Sequence, residues 1–187
     1  MLLERKDVNH NQKLTLGHQT VLSWAAEMGH EGVVKMLLER DDVNPDQPDL
    51  EYGQTPLSRA AESGHAGVVE MLLEREEVNP NHADTEYGQT PLSLAAESGH
   101  YGVVKMLLER DDVNPDQADT HFGQTPLSRA AENGREAVIK MLLEREEVNP
   151  DRADRSGRTP LWWAARYGHK KLFKLLRKAR RPHHHTR

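Results

Sequence analysis

The chain has 187 residues, no cysteine and a formal net charge of -5 at pH 7. The lack of cysteine excludes a disulfide framework and thiolate chemistry, and no apolar run approaches the roughly 20 residues that a membrane-spanning helix needs. The charge is uneven, because residues 170–187 carry eight Lys and Arg and no acidic residue, which leaves 17 basic against 30 acidic residues before position 170. An acidic body of this kind repels nucleic acid, so only the C-terminal segment could attract it.

Residues 1–16 form a partial copy of a unit that recurs later in the chain. The segment Met1–Val8 reads MLLERKDV and closely matches Met36–Val43, which reads MLLERDDV. It has neither the apolar core nor the small-residue cleavage site of a signal peptide. We therefore expect the chain to open inside the second helix of a unit and a following loop. It would be a fragment of a longer array or, alternatively, a natural half-repeat cap.

Residues 17–177 repeat one unit five times, and this periodicity outweighs every local motif. Four threonines, Thr20, Thr55, Thr90 and Thr125, are 35 residues apart, and Thr159 follows after 34. Each unit predicts two helices joined by a short turn. We expect the helix pairs near residues 20–39, 55–74, 90–109, 125–144 and 159–177.

The third unit shows why its first segment should be helical. Thr90 can accept a backbone N–H as an N-cap, and Pro91 suits the first helical position, where its missing N–H is not needed. Ala95 and Ala96 present a narrow apolar face that lets a neighbouring helix approach closely. Gly99 can adopt the left-handed conformation that ends the helix.

A second helix is predicted from about residue 100 to 109, followed by a projecting polar loop or hairpin between Pro115 and Gly123. Helices of about 8–10 residues are too short to persist in water by propensity alone. Their stability must come from stacking each pair on the next. The sequence therefore predicts an all-α solenoid of stacked helix-turn-helix pairs.

The motifs Gly-x-Thr-Pro-Leu, Ala-Ala, Gly-His and Leu-Leu, in register, resemble the ankyrin repeat over essentially residues 17–177. The resemblance implies an ankyrin-repeat solenoid with hairpin-like fingers, which here would be long because the period exceeds the usual value of about 33 residues. It implies a protein-protein interaction scaffold that binds through its concave first-helix face and fingers. The segments Val-Asn-Pro-Asp and Leu-Ser-x-Ala-Ala-Glu are most similar to ankyrin arrays of fungal multidomain receptors of the NACHT/NTPase type.

Candidate partner-binding residues follow from differences between the copies. The most varied position on the first helix could be a binding stripe or, alternatively, an exposed position under neutral drift; it holds Trp24, Arg59, Leu94, Arg129 and Trp163. Three finger residues could anchor a partner or pack against the next finger, namely Tyr52, Tyr87 and Phe122. A row of glutamates on the first helix is interpreted as a solvated acidic surface or, alternatively, as one that favours a basic or hydrogen-bonding partner; it consists of Glu62, Glu97 and Glu132, together with Glu27.

No catalytic, nucleotide-binding or metal-binding motif stands out. The recurring His30, His65, His100 and His169 are single imidazoles that we interpret as helix-start braces. A segment that imitates the start of a calcium loop has Gln117 and Gly123 where that loop needs Gly and Glu, so we reject it. We therefore expect no enzyme activity, no cofactor, no metal and no small-molecule substrate.

The last unit has a Lys/Arg-rich second helix, which fits the polar outer face of a terminal repeat. The alternative is a basic patch or nuclear-import signal around residues 177–181. We expect residues 178–187 to be a disordered basic tail. With no cysteine and no signal peptide, the chain is expected in the cytoplasm, with the nucleus as the alternative. Two rival functions are end-to-end self-association and, more weakly, nucleic-acid contact through the tail.

Overall fold

Ten helices lie in the part of the chain that the computed structural model describes, residues 19–179. They form five successive pairs. The first helices are α1 (Val21–Glu27), α3 (Pro56–Ser63), α5 (Pro91–Ser98), α7 (Pro126–Glu132) and α9 (Pro160–Arg166). The second helices are α2 (Glu31–Leu38), α4 (Ala66–Leu73), α6 (Tyr101–Leu108), α8 (Glu136–Leu143) and α10 (Lys170–Ala179). The predicted all-α architecture is confirmed.

Each first helix begins at a threonine cap, as its sequence predicts. In the third unit, Thr90 lies in extended backbone and its hydroxyl oxygen accepts the N–H of Ser93 at 3.2 Å. The same cap recurs in every pair, including the first, where Val21 replaces proline. The cap satisfies a backbone donor that would otherwise have no partner inside the helix.

The first helices of the first four pairs end beside a side chain of the following unit. Gly64 has a φ of 80°, a left-handed conformation that glycine adopts without steric cost. A Cβ atom at this position would collide with the imidazole ring of His100, which belongs to the following unit. The glycine therefore serves both the helix end and the stacking of units.

The core runs along the stack as one continuous cluster. Each first helix packs on the first helix of the next pair, and each second helix packs on the next second helix. The paired alanines of the first helices are fully buried at positions such as Ala60 and Ala61. Leucines and valines of the second helices, such as Leu72 and Val68, fill the space between the two layers. The small alanines allow the close helix approach that the sequence indicates.

The Val-Asn-Pro segment is anchored in the core. The valine is buried in every copy, at Val43, Val78, Val113 and Val148. After it, the asparagine side chain closes a turn; Asn79, for example, accepts the N–H of Asn81 at 3.0 Å. Each loop therefore leaves the second helix from a fixed point.

The C-terminal helix α10 has the polar outer face of a terminal repeat. It buries Leu172 and Leu176, while Lys170, Lys171 and Lys174 are exposed. The helix continues to Ala179, two residues into the segment predicted to be a tail. The partial repeat at residues 1–16 and the basic residues from position 180 onward lie outside the described residues.

Candidate functional site

A buried aspartate closes each finger. Oδ1 of Asp84 accepts the backbone N–H groups of Glu86, Tyr87 and Gly88 at 3.1, 2.8 and 2.9 Å. The equivalent aspartates are buried and accept backbone N–H groups in the same way; they are Asp49, Asp119 and Asp154. Sequence reasoning overlooked these residues. Their signal was an aspartate recurring every 35 residues.

Two residues of the predicted binding stripe hold these finger aspartates. Nη2 of Arg59 lies 3.0 Å from Oδ2 of Asp49, and Nη2 of Arg129 lies 2.9 Å from Oδ2 of Asp119. The arginine side chains are only 12% and 11% exposed. Both arginines therefore join a finger to its own first helix, a role that the sequence did not indicate.

Of the other three stripe residues, two are buried, whereas the drift interpretation assumes an exposed position. Leu94 is 5% exposed and Trp163 is 7% exposed, whereas Trp24 is 42% exposed. Four of the five stripe side chains are therefore mostly withdrawn from solvent, which contradicts the assumption of an exposed position but does not test whether the variation arose by drift. Their contact with a partner stays a prediction.

The finger rings lie against these arginines. The guanidinium carbon of Arg59 is 5.6 Å from the centre of the Tyr52 ring, and that of Arg129 is 5.5 Å from the centre of the Phe122 ring. Such cation–π contacts strengthen when both groups are partly shielded from water. The fingers of Asp49 and Asp119 thus each combine a buried carboxylate, a guanidinium and an aromatic ring.

Neighbouring fingers are also bonded to each other. The carbonyl oxygen of Tyr52 accepts the N–H of Thr85 at 2.7 Å, and that of Tyr87 accepts the N–H of Thr120 at 2.9 Å. The rings of Tyr87 and Phe122 stack with their centres 6.1 Å apart. The structure thus shows the packing alternative for Tyr87 and Phe122, although Phe122 remains 37% exposed.

The predicted acidic row lies beside the fingers, and each of its carboxylates has a fixed orientation. Oε2 of Glu62 accepts the side-chain amide of Gln54 at 3.2 Å, and Oε2 of Glu97 accepts that of Gln89 at 2.7 Å. Glu27 and Glu132 are held in the same way by Gln19 and Gln124. These four glutamates, hereafter the acidic row, are partly or fully exposed. They present one carboxylate per unit along the first-helix face.

The recurring histidines bridge successive units. Nε2 of His65 lies 2.9 Å from the carbonyl oxygen of Glu27, and Nε2 of His100 lies 2.9 Å from that of Glu62. Because a carbonyl oxygen only accepts, Nε2 must carry the donated proton. Arg135 stands where the fourth unit would have histidine, and its Nε donates to the carbonyl oxygen of Glu97 at 2.9 Å. At the starts of α4, α6 and α8 these side chains make no hydrogen bond to their own helix. The prediction of a local helix-start brace is therefore wrong, because the side chains bond to the end of the preceding first helix instead.

A shallow apolar groove remains on the last pair of helices. It has a volume of about 420 Å³ and is lined by Ala164, Ala165, Gly168, Lys170, Phe173 and Lys174. Ala165 is exposed, whereas the second alanine of each earlier pair is buried. Across residues 19–179, no group of three or more His, Asp or Glu side chains is arranged to hold a metal ion.

The family comparison agrees with this repeated geometry. A profile of ankyrin repeats, built from three copies, matches residues 1–84, 43–119 and 111–184. The chain belongs to the ankyrin repeat family. Ankyrin repeats generally mediate protein-protein interactions, and the family is typically a non-enzymatic binding scaffold. A search of curated proteins found no matching relative.

The ankyrin helices are short throughout the described region. None of them is long and apolar enough to cross a bilayer.

Proposed function

We propose that this ankyrin array binds a protein partner through the face formed by its first helices and fingers. The observation that carries the proposal is the acidic row, in which each of the first four units holds one glutamate in a fixed orientation through a glutamine amide. Holding the carboxylates in place lowers the entropy lost when a partner binds them. The partner should therefore present basic or hydrogen-bond-donating groups with a matching repeat.

The surroundings of the acidic row support the same proposal. Trp24 and Phe122 expose aromatic surface, and large aromatic side chains are frequent among the residues that dominate interface energies. The fingers are fixed by buried Asp–Arg pairs, so the face is largely formed before a partner arrives. The similarity of the repeat motif to arrays of fungal multidomain receptors fits a recognition role within a larger protein, which stays a prediction.

The test is to capture partners from a cell extract on the immobilised array, purify one, and compare its affinity for two triple variants. One variant neutralises the acidic row through Glu62→Gln, Glu97→Gln and Glu132→Gln, which keeps an acceptor for each glutamine. The matched control changes three exposed glutamates that lie outside the first helices, through Glu70→Gln, Glu74→Gln and Glu144→Gln. Both variants alter the net charge equally.

We expect the acidic-row variant to bind about tenfold more weakly, since three surface ion pairs of about 0.5 kcal/mol each sum to about 1.5 kcal/mol, close to the value of a tenfold change. The control should stay within about twofold of the parent. Equal loss in both variants, or loss in the control alone, would place the binding face elsewhere. Substituting Arg59 and Arg129 would be a poorer test, because it would also release the fingers.

The exposed groove on the last helix pair favours a second candidate, end-to-end association of two chains. Ala165 and Phe173 provide apolar surface there that another unit could cover. Light scattering over a range of concentrations tests it. A mass that rises with concentration would support association, and a constant monomer mass would contradict it.

A further inference from the structure

Three of the four finger aspartates hold an arginine on the carboxylate oxygen that faces away from their own turn. Oδ2 of Asp49 is paired with Arg59, and Oδ2 of Asp119 is paired with Arg129. In the last finger, Nε of Arg158 lies 2.8 Å from Oδ2 of Asp154. A guanidinium at this oxygen is therefore a recurring feature of the finger.

The arginine comes from different places in the chain. Arg59 and Arg129 belong to first helices, ten residues after their aspartates, whereas Arg158 lies in the finger itself, four residues after Asp154. In the last finger an aromatic ring also accompanies the pair, with the guanidinium carbon 4.4 Å from the centre of the Trp163 ring. Since two backbone positions deliver the same group, the preference for a guanidinium belongs to the carboxylate and its surroundings.

Each finger is numbered by the helix pair that follows it, so Asp49 lies in the second finger and Asp84 in the third. The third finger has the same carboxylate without the arginine. Asp84 is 6% exposed, and its Oδ1 accepts the same three backbone N–H groups as Oδ1 of Asp49. The carboxylate is thus oriented as in the second unit, with Oδ2 on the side where Arg59 approaches Asp49. Position 94, equivalent to Arg59 and Arg129, is leucine. Within residues 19–179, Oδ2 of Asp84 has no hydrogen bond or ion pair.

The environment of Asp84 retains the other components of the arginine site. Tyr87 supplies the ring that corresponds to Tyr52 and Phe122, over which the two neighbouring guanidinium groups lie at 5.6 and 5.5 Å. Leu94 carries no guanidinium, so its side chain cannot reach as far as Arg59 or Arg129 does.

We propose that the third finger binds an arginine side chain of the partner protein, with the guanidinium donating to Oδ2 of Asp84 and lying over the ring of Tyr87. Oδ2 of Asp84 is not among the fully buried polar atoms without a partner, so a side chain from outside can reach it, and a planar guanidinium suits both its charge and the ring. The partner would supply in trans the group that the neighbouring units supply in cis. This inference rests on the proposed function and specifies one side chain of the partner.

The experiment is a nuclear magnetic resonance titration of the ¹⁵N-labelled 187-residue chain with the peptide acetyl-Gly-Arg-Gly-amide. The amides of Glu86, Tyr87 and Gly88 are the reporters, because they donate to the Asp84 carboxylate. The equivalent amides of the second finger are the internal control, since Asp49 already holds an arginine. We expect saturable shifts at the third finger with a dissociation constant of about 1 mM, appropriate for one side chain.

Two variants and two further peptides define the site. Leu94→Arg copies Arg59 and Arg129, so it should fold and should abolish the shifts by occupying Asp84 in cis. Leu94→Met, the matched control, should keep them. A citrulline peptide, which has the same shape without the charge, should bind at least about tenfold more weakly, and a lysine peptide should also bind more weakly.

Undiminished binding to Leu94→Arg, equal shifts in the second and third fingers, or equal binding of the citrulline or lysine peptide would overturn the proposal. Such a result, combined with partner binding that still depends on the acidic row, would remove this arginine site and leave the proposed function intact. If partner binding also failed to depend on the acidic row, the proposed function would be contradicted as well.

Discussion

At the scale of single residues, neighbouring units are joined by side chains that each have one fixed partner. His65 and His100 reach the carbonyl oxygen at the end of the preceding first helix, and Arg135 does the same in the fourth unit. Two different residue types thus make one inter-unit hydrogen bond. This position therefore contributes a hydrogen bond between units, and that bond does not require an imidazole ring.

This equivalence predicts opposite outcomes for two substitutions at one position. His100→Ala should lower the free energy of unfolding by about 1 kcal/mol, because it removes a hydrogen bond between units and leaves the carbonyl of Glu62 with one partner fewer. His100→Arg should stay within about 0.5 kcal/mol of the parent, since it copies Arg135. Urea denaturation followed by circular dichroism measures both. A neutral His100→Ala would show that the brace contributes nothing to stability.

A second residue-scale prediction concerns Asp46. Burial raises the pKa of its carboxyl, while the backbone N–H of Asn79 and the charge of His82 lower it to a smaller extent, and Oδ1 of Asp46 is buried without a hydrogen-bond partner among the described residues. A raised pKa means that ionisation costs stability as the pH rises through the folded-state pKa. The next unit has Asn81 at this position, where its Nδ2 donates to the carbonyl oxygen of Asp112.

Asp46→Asn should therefore raise the free energy of unfolding at pH 7 by about 0.5 kcal/mol, a small gain because the site is only partly buried. Below the unfolded-state pKa of about 3.8 the gain should disappear, because Asp46 is then neutral in both states. Urea titrations at pH 7 and pH 3 provide the comparison. A gain that persists at pH 3 would contradict the ionisation argument.

At the scale of the elements, the described helices have 7 to 10 residues, which is below the length at which isolated helices hold in water. Their ends are therefore set by local chemistry and their persistence by stacking. The threonine caps fix the starts of the first helices. Glycines in left-handed backbone, such as Gly64 and Gly99, fix their ends.

Two glycines predict opposite effects of the same substitution. Gly64→Ala should destabilise the array by about 1–2 kcal/mol, because a left-handed conformation is unfavourable for alanine and the added Cβ would collide with the His100 ring. Gly102→Ala should stabilise it by about 0.5 kcal/mol, because Gly102 lies in α6 and an added Cβ would have no atom within 4 Å. Thermal or urea unfolding of the two variants measures both changes in stability. Similar changes would contradict the different roles assigned to Gly64 and Gly102.

The elements could be predicted from the sequence because their signals are local. Thr90, Pro91 and Gly99 lie within a few residues of the helix that they delimit. The Asp–Arg pairs could not be predicted, because Asp49 and Arg59 are separated by the whole turn of the finger and meet only once it folds. For the same reason, the sequence indicates only a partner contact or an exposed surface at the stripe position. The structure shows that Arg59 and Arg129 are paired with an aspartate of their own finger.

At the scale of the whole molecule, the first four units each place one glutamate on the first-helix face, and the fingers lie beside it. The acidic row, the finger rings and the Asp84 carboxylate all belong to that face. The second helices contribute the other layer, with Lys105 and Glu109 forming a surface ion pair between exposed side chains, which adds little to stability. Stacking thus converts a short repeated motif into an extended face that carries four regularly spaced carboxylates.

The most direct test of this account is hydrogen–deuterium exchange of the 187-residue chain, alone and bound to a purified partner. Binding should slow exchange at backbone amides of the fingers, above all at residues 84–88 and 119–123, and should leave α4 and α6 unchanged. Slowed exchange confined to the second helices or to α10, with the fingers unaffected, would contradict it.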